Sequence, residues 1–231
     1  MSSTLRVYDW SARSVRVVIA GDLAVPACGA IDREWDRLCA LNPRLHDGRV
    51  LHVEAFDATI GEIVCRRTTY KAFVAGPAAG LRVQTLGVTG LCVRSGVGGD
   101  EVLMGRRGEH VRIYGGLWET APRGAVEPPA LGDVMTFEDL SACLVREARE
   151  ELGTSVTVQH GVGLVSDAAA SSLDVCLRCD GVSAIEGGNW EYASRRWVGA
   201  DALRAWASGR PPTGLEGERL SPPCGAWFGR R

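Results

Sequence analysis

Five charged residues are crowded into six consecutive positions of the segment REAREELG, residues 146–153. On a helix, Glu147, Glu150 and Glu151 are related by spacings of three and four residues and therefore share one face. Like charges at these spacings cost roughly a few tenths of a kcal/mol each. Such a group either forms a solvated acidic face or binds Mg²⁺, which prefers hard oxygen ligands. From these residues alone, the solvated face is the preferred interpretation.

Sequence signals place the acidic group at the end of a helix. Thr136, followed three residues later by Asp139, resembles a capping box and puts the first helical residue near Phe137. Gly153 suits the position just beyond a helix end. The predicted helix spans residues 137–152. Its apolar stripe, which we expect to pack on a sheet, consists of Leu140, Cys143, Leu144 and Ala148.

The elements around this helix are mainly strands, with a change of character at AGPAAG, residues 75–80, which we interpret as a linker. Segment 115–136 is rich in Gly and Pro and is expected to be mostly loop. Strands are predicted at 15–20, 49–56, 61–67, 86–94, 101–107, 157–167, 172–181 and 194–200, and further helices at 30–41 and 200–207. This arrangement indicates a mixed sheet with helices on its faces.

Composition excludes several classes of protein. The chain of 231 residues carries 26 basic and 28 acidic residues, which gives no electrostatic case for nucleic-acid binding. No apolar run approaches the roughly 18–20 residues of a membrane span, and no signal-peptide pattern is present, so we expect a cytoplasmic protein. The eight cysteines are expected to be reduced and buried, and the CxxC at Cys176–Cys179 lacks a second pair for zinc.

The segment GDVMTFEDLSACLVREAREELGT, residues 132–154, resembles the Nudix box, Gly-x5-Glu-x7-Arg-Glu-U-x-Glu-Glu-x-Gly-U, in which U is aliphatic. Eight specified positions match in register, and one departs, because Thr154 stands at the final aliphatic position. The preceding GLWETAPRGAVEP and the later SRRWVGADAL are similar to other parts of this family. The resemblance covers about residues 84–208. It makes a metal site the preferred interpretation of the acidic group, in place of a solvated face.

The resemblance implies an α/β (α+β) fold, a Nudix-like α/β/α sandwich with a mixed β-sheet and a small N-terminal α/β extension. It divides the chain into an extension at 1–80, a Nudix hydrolase domain at 81–208 and an irregular C-terminal tail at 209–231. The segment REWDRLCALNPRLHDGRV, residues 33–50, is similar to the extension of Nudix hydrolases that act on UDP-sugars.

The family likeness also implies roles for the charged residues. Glu150 and Glu151 would hold Mg²⁺, with Mn²⁺ as an alternative, and Glu147 would be a metal ligand or the catalytic base. Arg146 would orient these carboxylates, and Glu138 would support them. Glu191 is the first candidate for a further metal ligand on a late loop, and Glu186 is the second. The alternative interpretation of Glu191 is an exposed loop carboxylate without a role in metal binding.

Which glycine offers its carbonyl to the metal is ambiguous. Gly132 has the counted spacing, whereas Gly124 lies in APRGAVEP, the local context expected of that turn. An insertion at about residues 129–136 would explain both observations. Gly124 is therefore preferred as the metal ligand, with Gly132 as the alternative.

Three residues near the start of the domain could meet a substrate. Arg106 and Arg107 end a strand and could bind phosphates through their planar guanidinium groups. Trp118 could stack on a base, although a core position is the preferred interpretation. The function implied is a Mg²⁺-dependent pyrophosphohydrolase acting on a nucleoside diphosphate linked to another moiety, such as a nucleotide sugar. Alternatives are a non-catalytic nucleotide sensor and an isoprenyl diphosphate isomerase, and the oligomeric state is open.

Overall fold

A computed structural model describes residues 5–10, 15–182 and 190–230. Its helices are α1 (Gly29–Leu41), α2 (Tyr70–Ala75), α3 (Phe137–Leu152), α4 (Ala200–Ala207) and α5 (Pro222–Phe228), with a 3₁₀ helix at Gly76–Ala79. Its strands are β1 (Leu5–Asp9), β2 (Arg16–Asp22), β3 (Arg49–Asp57), β4 (Glu62–Thr69), β5 (Thr85–Gly96), β6 (Gly99–Arg107), β7 (Trp118–Thr120), β8 (Arg123–Ala125), β9 (Val134–Met135), β10 (Thr157–Asp167), β11 (Ser172–Asp180) and β12 (Tyr192–Gly199).

The strands form a mixed sheet, as expected for this α/β fold. One path runs β1-β10-β11-β5-β3-β4-β2-β9, in which β11 and β5 are parallel and β10 and β11 antiparallel. The long strand β5 changes partners along its length. Its first half pairs with β11 and β8, and its second half pairs with β6, which also pairs with β7 and β12.

Helix α3 has the predicted bounds, and its start and end follow the predicted chemistry. The Thr136 N–H donates to Asp139 Oδ2 at 2.7 Å, which completes the capping box, and Gly153 adopts a left-handed conformation with φ of 68°. Leu140, Leu144 and Ala148 are fully buried in the main core, whereas Cys143 is half-buried. The capping box and the apolar stripe therefore fix which face of α3 meets the sheet.

The sheet crosses the boundary drawn at residue 80. Strand β1 pairs with β10, β3 with β5 and β2 with β9, so strands from the first eighty residues border the Nudix-like part. The expected linker at 75–80 instead forms the end of α2 and the 3₁₀ helix, with Ala75 and Gly76 buried. This difference arises because the segment packs against α1 and α2 and does not span two separate bodies.

The tail was expected to be irregular, and this prediction is wrong for α5. Pro222 and Pro223 occupy the first turn of the helix, where a missing N–H costs nothing. Ser221 N–H donates to the Trp118 carbonyl at 2.8 Å, and Cys224 of the helix is buried against the sheet. The tail is therefore a packed part of the domain.

All eight cysteines are free thiols, and Cys176 and Cys179 lie buried in β11. The expectation that all eight are buried is wrong for Cys28, Cys39 and Cys143, which are partly exposed. No helix within the described ranges is long and apolar enough to cross a membrane.

Candidate active site

The last two turns of α3 lie against strand β8, where the site is built. Glu151 is 4% exposed, and its Oε2 accepts a hydrogen bond from the Arg123 backbone N–H at 2.8 Å. Arg195 donates to the backbone carbonyl of Glu151. Because strand and helix are joined at this point, the position of the Glu151 carboxylate depends on the position of β8.

The two candidate glycines occupy different surroundings. A Cβ at Gly124 would overlap the Glu147 side chain, so Glu147 packs directly on the backbone of β8. Gly132 lies in open space with φ of +85°, and its carbonyl accepts a hydrogen bond from Arg67 Nη2 at 2.8 Å. Arg67 also pairs with Asp133 at 2.6 Å. The structure thus brings Gly124, and not Gly132, next to the acidic residues of α3.

Burial and mutual repulsion raise the pKa values of the buried glutamates. Burial raises the pKa of Glu147 from 4.5 to about 7. The positive charge of Arg146 lowers this pKa, and the negative charges of Glu150 and Glu191 raise it further. Burial also raises the pKa of Glu151 well above 4.5, and the adjacent Glu191 carboxyl adds to this effect. Glu147, Glu151 and Glu191 are therefore close enough to raise one another's cost of ionisation, and a proton or a cation would relieve that repulsion. The second candidate on this loop, Glu186, lies outside the described residues.

Arg146 pairs with the carboxylates around it. Its guanidinium lies 3.1 Å from Glu147, 3.4 Å from Glu127 and 3.6 Å from Glu150. Glu150 is more exposed than Glu147, with 59% against 12% of the side chain accessible. Glu127 was missed in the sequence, although it lies in the GLWETAPRGAVEP segment that carried part of the family likeness.

Glu138 lies in the exposed first turn of α3. At 1.5 Å per residue, its backbone is about 14 Å from Glu147 along the helix axis. The structure therefore does not bring Glu138 into the group at the other end of the helix.

The residues expected to meet a substrate are held in other contacts. Trp118 is 3% exposed and donates through Nε1 to Glu218 at 3.1 Å, so its ring offers no free face to a base. Arg107 is largely buried and pairs with Glu119 at 2.5 Å, which corrects the expectation that it meets phosphate. Arg106 remains partly exposed and pairs with Glu218 and Glu109.

A buried ionic network also escaped the sequence reasoning. The Arg123 side chain pairs with Asp174 at 2.8 Å and with Glu119 at 3.6 Å, and Tyr192 Oη lies 3.3 Å from Glu119. Burial opposes the charge of Arg123, but Asp174 and Glu119 outweigh it and raise its pKa. Only the position of Arg123 in APRG, beside Gly124, could have drawn attention to this network.

The residues present suit a divalent cation. The donors are carboxylate oxygens, packed on a glycine that has no side chain in the way, and Mg²⁺ prefers oxygen ligands. Glu151 Oε1 is buried and has no hydrogen-bond donor among the described residues. Within those same ranges, no three acidic, His or Cys side chains are yet close enough together to enclose an ion. The oxygen donors and the uncompensated Glu151 oxygen nevertheless fit a metal.

Comparison with known proteins defines the class. The NUDIX domain matches residues 84–213, which is more than half of the chain. The chain therefore belongs to the Nudix family and is a hydrolase acting on phosphoric anhydride bonds. Nudix hydrolases generally use divalent metal ions and act on small-molecule nucleotide substrates.

Several solved structures match this chain at low sequence identity. The protein DR0079 from Deinococcus radiodurans is 17% identical with a TM-score of 0.51, and the match covers 79% of this chain and 98% of that chain. A MutT protein from Methanosarcina mazei Go1 is 24% identical with a TM-score of 0.45, covering 63% and 90% of the two chains. A Nudix hydrolase from M. Smegmatis, RenU, is 22% identical with a TM-score of 0.43, covering 62% and 81%. No curated protein matches this sequence.

Proposed function

We propose that this chain is a Mg²⁺-dependent pyrophosphohydrolase that cleaves the diphosphate of a nucleoside diphosphate linked to another moiety, such as a nucleotide sugar. The observation that carries the proposal is the packing of Glu147 on Gly124 and of the buried Glu151 carboxylate on the adjacent Arg123 N–H, with Glu191 near enough to raise the pKa of both glutamates. Buried carboxyl groups that repel one another cost stability unless a bound group compensates them. A divalent cation provides that compensation and is the cofactor that pyrophosphate hydrolysis needs.

The metal ligands we propose are the carboxylates of Glu147, Glu151 and Glu191 and the carbonyl of Gly124. The exposed Glu150 would complete the set from the solvent side. A divalent ion bound there would neutralise charge on the diphosphate and lower the pKa of a water molecule.

The protein's own groups would do the remaining work. In the alternative role for Glu147, as the base and not as a metal ligand, its carboxylate would accept a proton from the attacking water. Attack of that water on phosphorus breaks one P–O bond of the anhydride and releases two phosphate monoesters. Arg146 would orient Glu147 and Glu150 through its ion pairs, and the Arg123 N–H would hold Glu151. We retain the partly exposed Arg106 as a candidate for substrate contact.

A nucleotide sugar is proposed because of the likeness of residues 33–50 to the extension of UDP-sugar enzymes. Residues 1–80 would act as an extension, 81–208 as the catalytic domain and 209–231 as a tail. Strand β2 of the extension pairs with β9, and Arg67 of β4 binds the Gly132 carbonyl, so the extension contacts the chain just before α3. This contact supports a role of the extension at the catalytic domain.

A substrate panel tests the proposal. Purified protein with Mg²⁺ is incubated with ADP-ribose, UDP-glucose, dinucleotides and nucleoside triphosphates, and the protein is then removed by filtration. A phosphatase converts the monoester products of the diphosphate-linked substrates to inorganic phosphate, and inorganic pyrophosphatase reports any diphosphate released from the nucleoside triphosphates. We expect phosphate release from a nucleotide sugar or a related diphosphate, and none when EDTA replaces Mg²⁺ in the first incubation and excess Mg²⁺ is restored before the phosphatase is added. Silence across the whole panel would overturn the proposal in favour of a non-catalytic nucleotide sensor.

A further inference from the structure

Arg123 is the residue that joins the two faces of the sheet at the site. Its backbone N–H, on the α3 side, donates to Glu151 Oε2 at 2.8 Å. Its guanidinium lies on the opposite side of β8 and makes a two-point contact with Asp174, with Nε 3.2 Å from Oδ1 and Nη2 2.8 Å from Oδ2. One residue therefore touches a proposed metal ligand through its backbone and a buried carboxylate through its side chain.

The Asp174 carboxylate is itself fixed from several directions. Ser172 Oγ donates to Asp174 Oδ2 at 2.8 Å and accepts from Arg123 Nη2 at 3.2 Å. A Cβ at Gly87 would overlap Asp174 Oδ1, so the carboxylate rests on the backbone of β5. A two-point arginine–carboxylate contact restricts orientation as well as distance. Asp174 thus fixes the direction in which Arg123 leaves β8.

The tail keeps this contact out of bulk water. Helix α5 covers a cavity of about 30 Å³ whose walls include Arg123, Asp174 and Glu119 on the sheet side and Ser221 and Trp227 on the tail side. Charge pairs that are shielded from water interact more strongly than exposed pairs. The packing of the tail therefore strengthens the hold of Asp174 on Arg123.

We propose that Asp174 is a positioning residue for metal binding, acting through Arg123 to hold β8 where its N–H meets Glu151 and its Gly124 meets Glu147. This inference rests on the proposed function, because it assumes that Glu147, Glu151 and Gly124 are metal ligands. It goes beyond them, because Asp174 touches neither substrate nor metal and lies on the opposite face of the sheet from α3.

The test compares Asp174→Asn with Asp167→Asn. Asp167 is an equally buried carboxylate on the neighbouring strand β10, but it binds the Tyr114 hydroxyl at 2.6 Å and the Ala169 and Ala170 amides, and not Arg123. Binding of Mn²⁺ alone is measured by isothermal titration calorimetry, and hydrogen exchange of the Arg123 amide by NMR. Loss of an outer partner of a metal ligand weakens metal affinity by about 10- to 100-fold.

We expect Asp174→Asn to weaken Mn²⁺ binding by about 10- to 100-fold and to speed exchange of the Arg123 amide, while Asp167→Asn changes neither. Unchanged affinity and exchange in Asp174→Asn would overturn the inference, as would equal losses in both variants. If Asp174→Asn does not fold, Ser172→Ala, which keeps every charge, replaces it, with an expected weakening of about two- to fivefold. Wild-type affinity in Ser172→Ala would then overturn the inference.

Failure of the proposed function would look different. Wild-type protein that binds no Mn²⁺ and hydrolyses no substrate would refute the enzyme proposal. The Arg123 amide would still report whether Asp174 fixes β8, since that measurement needs no metal.

Discussion

Replacing Glu151 with Gln should stabilise the metal-free protein while abolishing its response to metal. Glu151 is 4% exposed, and burial together with the Glu191 carboxyl raises its pKa well above 4.5. A carboxyl whose pKa is raised on folding contributes fully to stability below its unfolded pKa, and that contribution is lost as pH rises. The cost is about 1.4 kcal/mol for each pH unit above 4.5, with a ceiling of about 3.4 kcal/mol at pH 7.

Glu151→Gln removes this cost and keeps the shape of the side chain. We expect the free energy of unfolding of the metal-free variant to rise by about 1–3 kcal/mol at pH 7, which corresponds to roughly 3–10 °C in Tm. Wild-type protein at a metal concentration one hundred times its Kd should gain about 2.7 kcal/mol, and the variant should gain none of it. Thermal melts with EDTA and with Mn²⁺ measure both effects.

Glu150→Gln is the matched control, because it removes one carboxylate from the adjacent and largely exposed position. Its metal-free stability should stay within about 0.5 kcal/mol of wild type. The reasoning is refuted if metal-free Glu151→Gln is less stable than wild type, or if Mn²⁺ stabilises it as much as it stabilises wild type.

Three further predictions follow from the same contacts. Gly124→Ala should lower kcat about 100-fold, because the new Cβ displaces Glu147. Gly132→Ala should lower the free energy of unfolding by about 1–3 kcal/mol through backbone strain and leave kcat unchanged. Steady-state kinetics and thermal melts measure these effects, and equal losses of kcat in the two variants would contradict the choice of Gly124. The metal-free protein should lose stability as pH rises from 4.5 to about 7, because the raised pKa of Glu147 in the folded state favours its protonated form. Glu147→Gln should reduce this pH dependence of the free energy of unfolding, measured by denaturant titration at several pH values. An unchanged pH dependence in the variant would refute this prediction. Trp118→Phe should lower the free energy of unfolding by about 1–2 kcal/mol, because the hydrogen bond to Glu218 is lost. Its KM should be unchanged, and a large rise in KM would instead support stacking of Trp118 on the base of the substrate.

Local signals predicted the parts of the molecule that local chemistry decides. The capping box and Gly153 predicted both ends of α3, and the apolar spacing predicted its buried face. The same spacing places Glu151 in line with Leu144 and Ala148, seven and three residues earlier, and leaves Glu150 off that stripe, but it gives no reason for a carboxylate to be buried. Their difference in burial depends on β8, which covers Glu151 and leaves Glu150 in solvent.

Long-range contacts were beyond sequence reasoning. Arg123 and Asp174 are 51 residues apart, and only the parallel pairing of β5 and β11, with β8 beside β5, brings them together. The glycine ambiguity has a similar origin, because spacing along the chain favours Gly132 while the path of residues 129–136 carries it to β2 and Arg67. Turn composition predicted a loop at this point but not the strand to which the loop binds.

Locating a bound ion tests the central claim most directly. Crystals grown or soaked with Mn²⁺ give an anomalous signal that marks the metal position independently of the protein coordinates. We predict a peak within ligand distance, about 2.0–2.3 Å, of carboxylate oxygens from Glu147 and Glu151 and of the Gly124 carbonyl. A peak at Gly132, or Mn²⁺ bound only at exposed carboxylates away from β8, would contradict the account.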